Sequence, residues 1–191
     1  MRLGIFGGSF DPPHVGHLLV AVDAFDALSL DKLIFVPAAV QPLKAGTAAA
    51  APQQRLSMVR LLVGADPRFG VDTVEIERDG LSYTVDTLDT FAQRFPSAER
   101  FFVVGEDAMT AFGAWKAPEQ IMRLARVAIL RRPGAAAVEL SKAPDGTISL
   151  STRLIEVSST EIRERVRDGK SIRGFVPESV AAFIETERLY R

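Results

Sequence analysis

Short continuous apolar runs alternate along this chain with longer segments in which apolar residues recur every three or four positions, and the two spacings separate strands from helices. The runs at 3–6, 32–37, 71–74, 101–104 and 127–130 predict strands, and 153–157 predicts a shorter one. Leu18, Val22 and Phe25 stand at i, i+4 and i+7 and predict a first helix ending near Leu28; further helices are expected at 55–63, 85–95, 160–168 and 178–187. Segments 45–52 and 134–149 are rich in Ala, Gly, Pro and Thr and read as loops, the first placed to act as a mobile cover over a site. Strands alternating with helices give an α/β fold class: a Rossmann-like open parallel sheet with helices on both faces. No repeat or linker divides the chain, so 1–191 reads as one domain with a C-terminal helical part at about 158–191.

Composition narrows the function classes. Hydrophobic residues make up 47% and charged residues 25% of the 191 positions, ordinary for a chain that buries one sizeable core. A formal net charge of −1 gives no electrostatic reason to expect nucleic acid or an anionic membrane as partner. The absence of cysteine removes disulfides, thiolate catalysis and Cys-ligated zinc. No apolar run is long enough to span a bilayer and no secretory leader pattern precedes the first strand, so the expected compartment is the cytoplasm. Oligomeric state is left open, a homo-oligomer included.

The densest chemistry lies at 4–18, where an apolar strand runs into Gly7-Gly8-Ser9-Phe10-Asp11-Pro12-Pro13 and then His14-Val15-Gly16-His17. Unpaired backbone amides at a helix start, at the positive end of its dipole, favour an anion. Glycines at 7 and 8 are expected to let a polyphosphate approach the main chain, and Gly16 to leave room over the first helical turn. His14 and His17 are the only two histidines. Each can donate to phosphate oxygens, and from an ordinary pKa of about 6.5 each can turn cationic if phosphates favour that form. The bland alternative is that they satisfy local hydrogen bonds. The spacing matches neither G-x-x-x-x-G-K-S/T nor G-x-G-x-x-G.

A second cluster, Val157-Ser158-Ser159-Thr160-Glu161-Ile162-Arg163, combines good helix caps with a cation one turn in. Ser158-x-x-Glu161 fits a capping box, and the Arg163 fork suits bidentate contact with phosphate oxygens. Arg165 and Arg167 read as solvated surface residues.

The first cluster resembles the HxGH nucleotidyltransferases and the second resembles their SSTxIR motif. Within that superfamily nearly the whole chain is similar to the bacterial nicotinate mononucleotide adenylyltransferases. The similarity runs through Phe35-Val36-Pro37, Gln41-Pro42-Leu43-Lys44, Arg55, Met58, Ser82-Tyr83-Thr84-Val85-Asp86-Thr87-Leu88, Gly105-Glu106-Asp107, Trp115, Arg132-Pro133-Gly134 and Val176-Pro177 to Leu189-Tyr190. This chain has Leu43 and Glu106 where the family usually has histidine and alanine, so Lys44 carries more of the loop's phosphate contact and Glu106 brings negative charge towards the nucleotide.

The resemblance implies ATP and nicotinate mononucleotide as partners and Mg²⁺ as cofactor, bound mainly through ATP phosphates rather than by a protein metal site. His14, His17 and Arg163 are the expected catalytic residues. ATP is expected against Gly7, Gly8, Ser9, Phe10, His14, His17, Gly105, Asp107, Ser158, Ser159, Thr160 and Arg163, and the mononucleotide against Lys44, Arg55, Thr84, Trp115 and Arg132. Several of these keep a second reading: Thr84 as a helix cap, Trp115 as core rather than a stacking partner for pyridine, Asp107 as a cap rather than a ribose acceptor, Lys44 and Arg55 as surface cations. Alternatives at the level of function are adenylyl transfer to nicotinamide mononucleotide or phosphopantetheine, or a nucleotide sensor without catalysis.

Overall fold

The computed structural model describes residues 1–42, 49–131, 144–153 and 155–191, apart from the side chain of residue 107. Six strands form one sheet: β1 Arg2–Gly8, β2 Lys32–Pro37, β3 Phe69–Val71, β4 Glu99–Gly105, β5 Arg126–Arg131 and β6 Ile148–Ser151. Their order across the sheet is β3-β2-β1-β4-β5-β6, and every pairing is parallel. The chain therefore winds outwards from β1 in one direction, returns to the centre at β4 and winds the other way. The reversal leaves a crevice beyond the carboxyl ends of β1 and β4, the place where ligands bind in such sheets.

Both faces of the central strands are buried, which explains their continuous apolar runs. Successive residues of β4 alternate between layers: Phe101 and Val103 face one core with Phe6, Phe35 and Met58, while Phe102 and Val104 face the other with Leu3, Ile5 and Leu88. The first layer is covered by α1 Val15–Ala27, α2 Pro52–Val63, α7 Ser159–Arg167 and α8 Glu178–Thr186, and the second by α4 Thr84–Arg94 and α6 Pro118–Leu124. Gly4 is needed because β1 passes tightly under the β2 entry: a Cβ there would lie 2.5 Å from Leu30 Cδ1.

Three expectations from the sequence change. The third strand ends at Val71, and Val74 opens a short helix, α3 Val74–Arg78; Asp72 accepts the Val74 N–H at 2.9 Å and turns the chain out of the sheet. No strand forms over the described part of 153–157. Instead Arg153 is tied to Asp23 on α1, with its Nη2 2.7 Å from Oδ1. The last strand lies earlier, at Ile148–Ser151, partly inside the segment read as a loop. Its alternation is weak because only Leu150 is buried at this sheet edge. The short α5 Glu106–Met109 and α6 carry too few turns to show a helical period, and neither was expected. Among the described residues no helix is long and apolar enough to cross a membrane.

Candidate active site at the sheet reversal

At the end of β1 the chain leaves Gly8, passes through Phe10 in the left-handed region (φ 49°) and enters α1 with His14 as its cap. The His14 N–H donates to His17 Nδ1 at 3.2 Å, so a neutral His17 carries its proton on Nε2. The two imidazoles stack with centroids 3.8 Å apart, and Phe10 closes on His17 at 5.0 Å. Enclosure of the ring, and after it the adjacent His14, hold the His17 imidazole well below the ordinary histidine range. His17 is thus a neutral donor facing the crevice, not the cation that its ordinary range allows. His14 is 7% exposed.

The glycines also have a role within the protein. A Cβ on Gly16 would stand 2.9 Å from His14 Nδ1, and one on Gly8 would stand 2.9 Å from Phe10 Cζ. Both glycines make room for this protein's own rings, while a Cβ on Gly7 would meet only ordinary contact with Phe102 at 3.7 Å. Gly7 and Gly8 still line the crevice.

The second motif docks directly on the first. Ser158 caps α7, its hydroxyl accepting the Glu161 N–H at 3.1 Å. The Ser159 hydroxyl donates to Pro12 O at 2.8 Å, and Arg163 Nη1 donates to Asp11 O at 2.7 Å. Arg163 Nη2 reaches Thr160 Oγ1 at 3.1 Å. Two segments far apart in sequence are thereby assembled into one basic rim. Arg165 instead lies over the Phe175 ring, 4.6 Å from its centre, and Arg167 is exposed.

Asp11 organises this turn. Its buried carboxylate accepts the N–H groups of Ala49 and Ala50 at 2.7 and 3.1 Å and the hydroxyl of Tyr190 at 2.8 Å. Burial, reinforced by the Asp11 carboxylate, drives the Tyr190 phenol far above its usual range. Arg55, expected at the mononucleotide phosphate, is 1% exposed. Its guanidinium donates to Ser9 O at 2.6 Å, Ala39 O at 2.8 Å and Ala50 O at 3.2 Å. That assignment is corrected: Arg55 braces the loops of the site from within. Ser9 uses its hydroxyl to donate to Gln41 Oε1 at 2.9 Å.

From His17 a cavity of about 500 Å³ extends between the ends of β1, β2 and β4 and the start of α4. Gly105 lies on its strand side, and Thr84, Tyr83 and Trp115 on the other. Trp115 is half-buried and rests on Phe112 and Phe102, with centroids 5.4 and 6.0 Å away, so it is both packed and presented to the cavity. Thr84 is the first residue of α4, whose cap is Tyr83; the capping reading of Thr84 is set aside. Glu106 is buried, 3.8 Å from Arg131 Nε. Lys44, Arg132 and the side chain of Asp107 lie outside the described residues, as does Leu43.

Sequence reasoning missed two charged groups on the cavity wall. Glu75 is 7% exposed and accepts the Thr87 hydroxyl at 2.7 Å; burial above all pushes its carboxyl above the usual carboxylate range. Lys116 pairs with both oxygens of Asp86, at 3.0 and 3.1 Å. A glutamate flanked by Val74 and Ile76 was the available signal for the first. Among the described residues no group of three or more His, Asp or Glu side chains converges to hold a metal ion.

The cytidylyltransferase-like family model matches residues 5–165. A protein of Gemmatimonas aurantiaca named "probable nicotinate-nucleotide adenylyltransferase" is 47% identical over all of this chain and 93% of its own length. A Thermus thermophilus protein of the same name is 44% identical, with all of both chains covered. The solved nicotinic acid mononucleotide adenylyltransferase of Plasmodium falciparum, complexed with NaAD, superposes with a TM-score of 0.80 at 18% identity, covering 99% of this chain and 97% of that one; at that identity the likeness is one of fold. With a full-length family match and a site assembled from both motifs at the sheet reversal, the chain belongs to the nicotinate-nucleotide adenylyltransferase family, within the cytidylyltransferase-like nucleotidyltransferases.

Proposed function

We propose that this chain transfers the adenylyl group of ATP to nicotinate mononucleotide, forming nicotinate adenine dinucleotide and pyrophosphate. The observation that carries this reading is the docking of Arg163 and Ser159 on the Asp11–Pro12 turn. It ties the Arg163 guanidinium to the turn that leads into His14 and His17, and His17 lines a cavity walled by an aromatic ring and a helix start.

A phosphate oxygen of the mononucleotide attacks the α-phosphorus of ATP; the new P–O bond forms as the bond to the β-phosphate breaks, and pyrophosphate leaves with that electron pair. The nucleophile is already an anion, so no side chain has to remove a proton. Catalysis then rests on alignment and on neutralising charge that builds on the phosphates. Neutral His17, with its proton on Nε2, donates to a phosphate oxygen. His14 fixes the orientation of His17 through the stack and the backbone contact. Arg163 offers its remaining N–H groups to the triphosphate. Gly7, Gly8, Ser9, Phe10, Gly105, Asp107, Ser158, Ser159 and Thr160 frame the ATP side, and Thr84, Trp115, Lys44 and Arg132 the mononucleotide side. Mg²⁺ arrives on the ATP phosphates and, when bound, adds charge neutralisation there. Cytoplasmic location follows from the substrates.

A panel of ATP with nicotinate mononucleotide, nicotinamide mononucleotide or phosphopantetheine, assayed for pyrophosphate, tests the proposal. Release with nicotinate mononucleotide alone is the expected result. No release with any acceptor would leave a nucleotide-binding sensor.

A further inference from the structure

The cavity lined by Thr84 and Trp115, which the proposed function gives to the mononucleotide, has one fully positive residue among the described residues that line it, Lys116. We infer that Lys116 selects a carboxylate over a carboxamide on the pyridine ring by pairing with that carboxylate at the cavity mouth. The inference rests on the nicotinate reading and names the residue that reads the acid.

Lys116 follows Trp115, whose indole lines the same cavity, and its side chain spans from that loop to the first turn of α4. There the ammonium meets Asp86 at 3.0 Å and sits 4.6 Å from the centre of the Tyr83 ring. The charge is therefore anchored over the start of α4, whose exposed amide ends also favour an anion. Its present partner holds it loosely. The Lys116 and Asp86 side chains are 49% and 38% exposed, and ion pairs so exposed contribute little. An incoming carboxylate can share the ammonium at small cost.

Charge and donor count both favour the acid. Without Lys116 the described lining would hold Glu75 and no cation, with His17 neutral and Asp86 left unpaired on the first turn of α4, an arrangement that disfavours an anion and leaves a neutral amide unaffected. An ammonium has three donors and no acceptor. It matches both oxygens of a carboxylate, whereas the NH₂ of an amide would face it donor to donor.

Trp115 is the only tryptophan, so its fluorescence reports on occupancy of this cavity directly. Nicotinate and nicotinamide mononucleotides are titrated against the native chain, Lys116→Met and Lys116→Arg, at low and high ionic strength, with pyrophosphate release measured in parallel. Lys116→Met is expected to lower the acid-over-amide affinity ratio by about tenfold at low salt, and Lys116→Arg to keep most of it. Added salt should erode the native ratio towards that of Lys116→Met. Equal ratios for the native chain and Lys116→Met, or a native ratio indifferent to salt, overturn the inference. Failure of the native chain to release pyrophosphate from ATP and nicotinate mononucleotide would instead overturn adenylyl transfer, with the fluorescence ratios still deciding on Lys116.

Discussion

His17 is held by its neighbours on three sides, with Phe10 and His14 against the ring and the His14 N–H on Nδ1. One nitrogen is left to do chemistry. His17→Ala should cut turnover by about 100-fold or more, the scale of losing one preorganised transition-state donor, as read by steady-state pyrophosphate release. The same enclosure has a stability consequence with a definite sign. Because the folded ring takes up a proton less readily than the unfolded one, its contribution is present at neutral pH and is lost as pH falls below the unfolded value of about 6.5. The melting temperature of the native chain relative to His17→Gln should therefore drop between pH 7 and pH 5. The histidines and Arg163 stand out in the sequence by type and spacing, and the structure brings Arg163 onto the turn that leads into the histidines. The role of Arg55 was not: an arginine four residues into a helix looks the same whether it meets a ligand or, as here, three main-chain carbonyls. Arg55→Met should lower stability by several kcal/mol in urea titrations, since it leaves buried acceptors unpaired at about 1–3 kcal/mol each.

At the level of elements, α7 is a short helix whose value lies in where it docks. Arg163→Lys keeps a charge but loses the fork that holds Asp11 O and Thr160 Oγ1 together. Its KM for ATP should rise about tenfold or more, while Arg167→Lys, on the exposed face, should stay near native; equal effects would mean that the rim is a solvated helix face. Long elements with both faces buried could be read from periodicity, and β2 came out at its true bounds, Lys32–Pro37. The elements that failed were short or marginal. Val74 reads as strand by composition, yet the Asp72 carboxylate starts a helix there. The polar edge strand β6 lacks the apolar run that marks its neighbours. Glu75 and Lys116 are given no role in the sequence reading for a related reason: which cavity they line is a property of the packed sheet and not of their neighbours in sequence.

For the molecule as a whole, the strand order explains why motifs from opposite ends of the chain share one crevice. Under the proposed function it also separates the two substrates, with phosphates at the β1–α1 turn and the pyridine against α4 and Trp115. Trp115→Ala should accordingly raise KM for the mononucleotide far more than for ATP. Nicotinate mononucleotide should be preferred over its amide by at least about 100-fold in kcat/KM, the scale at which unmatched buried polar groups discriminate; comparable rates would refute acid selectivity and leave adenylyl transfer standing. Tyr190→Phe should remove about 1.5–3 kcal/mol of stability in urea titrations, the range for a hydrogen bond to a charged group. That last bond joins residues 179 positions apart. During synthesis the six described strands, the last ending at Ser151, are made before the tyrosine that steadies the Asp11 turn. The bracing of the Asp11 turn is thus the last part of the molecule to be completed, and fraying beyond α8 in the mature protein would loosen that turn first while the sheet stands.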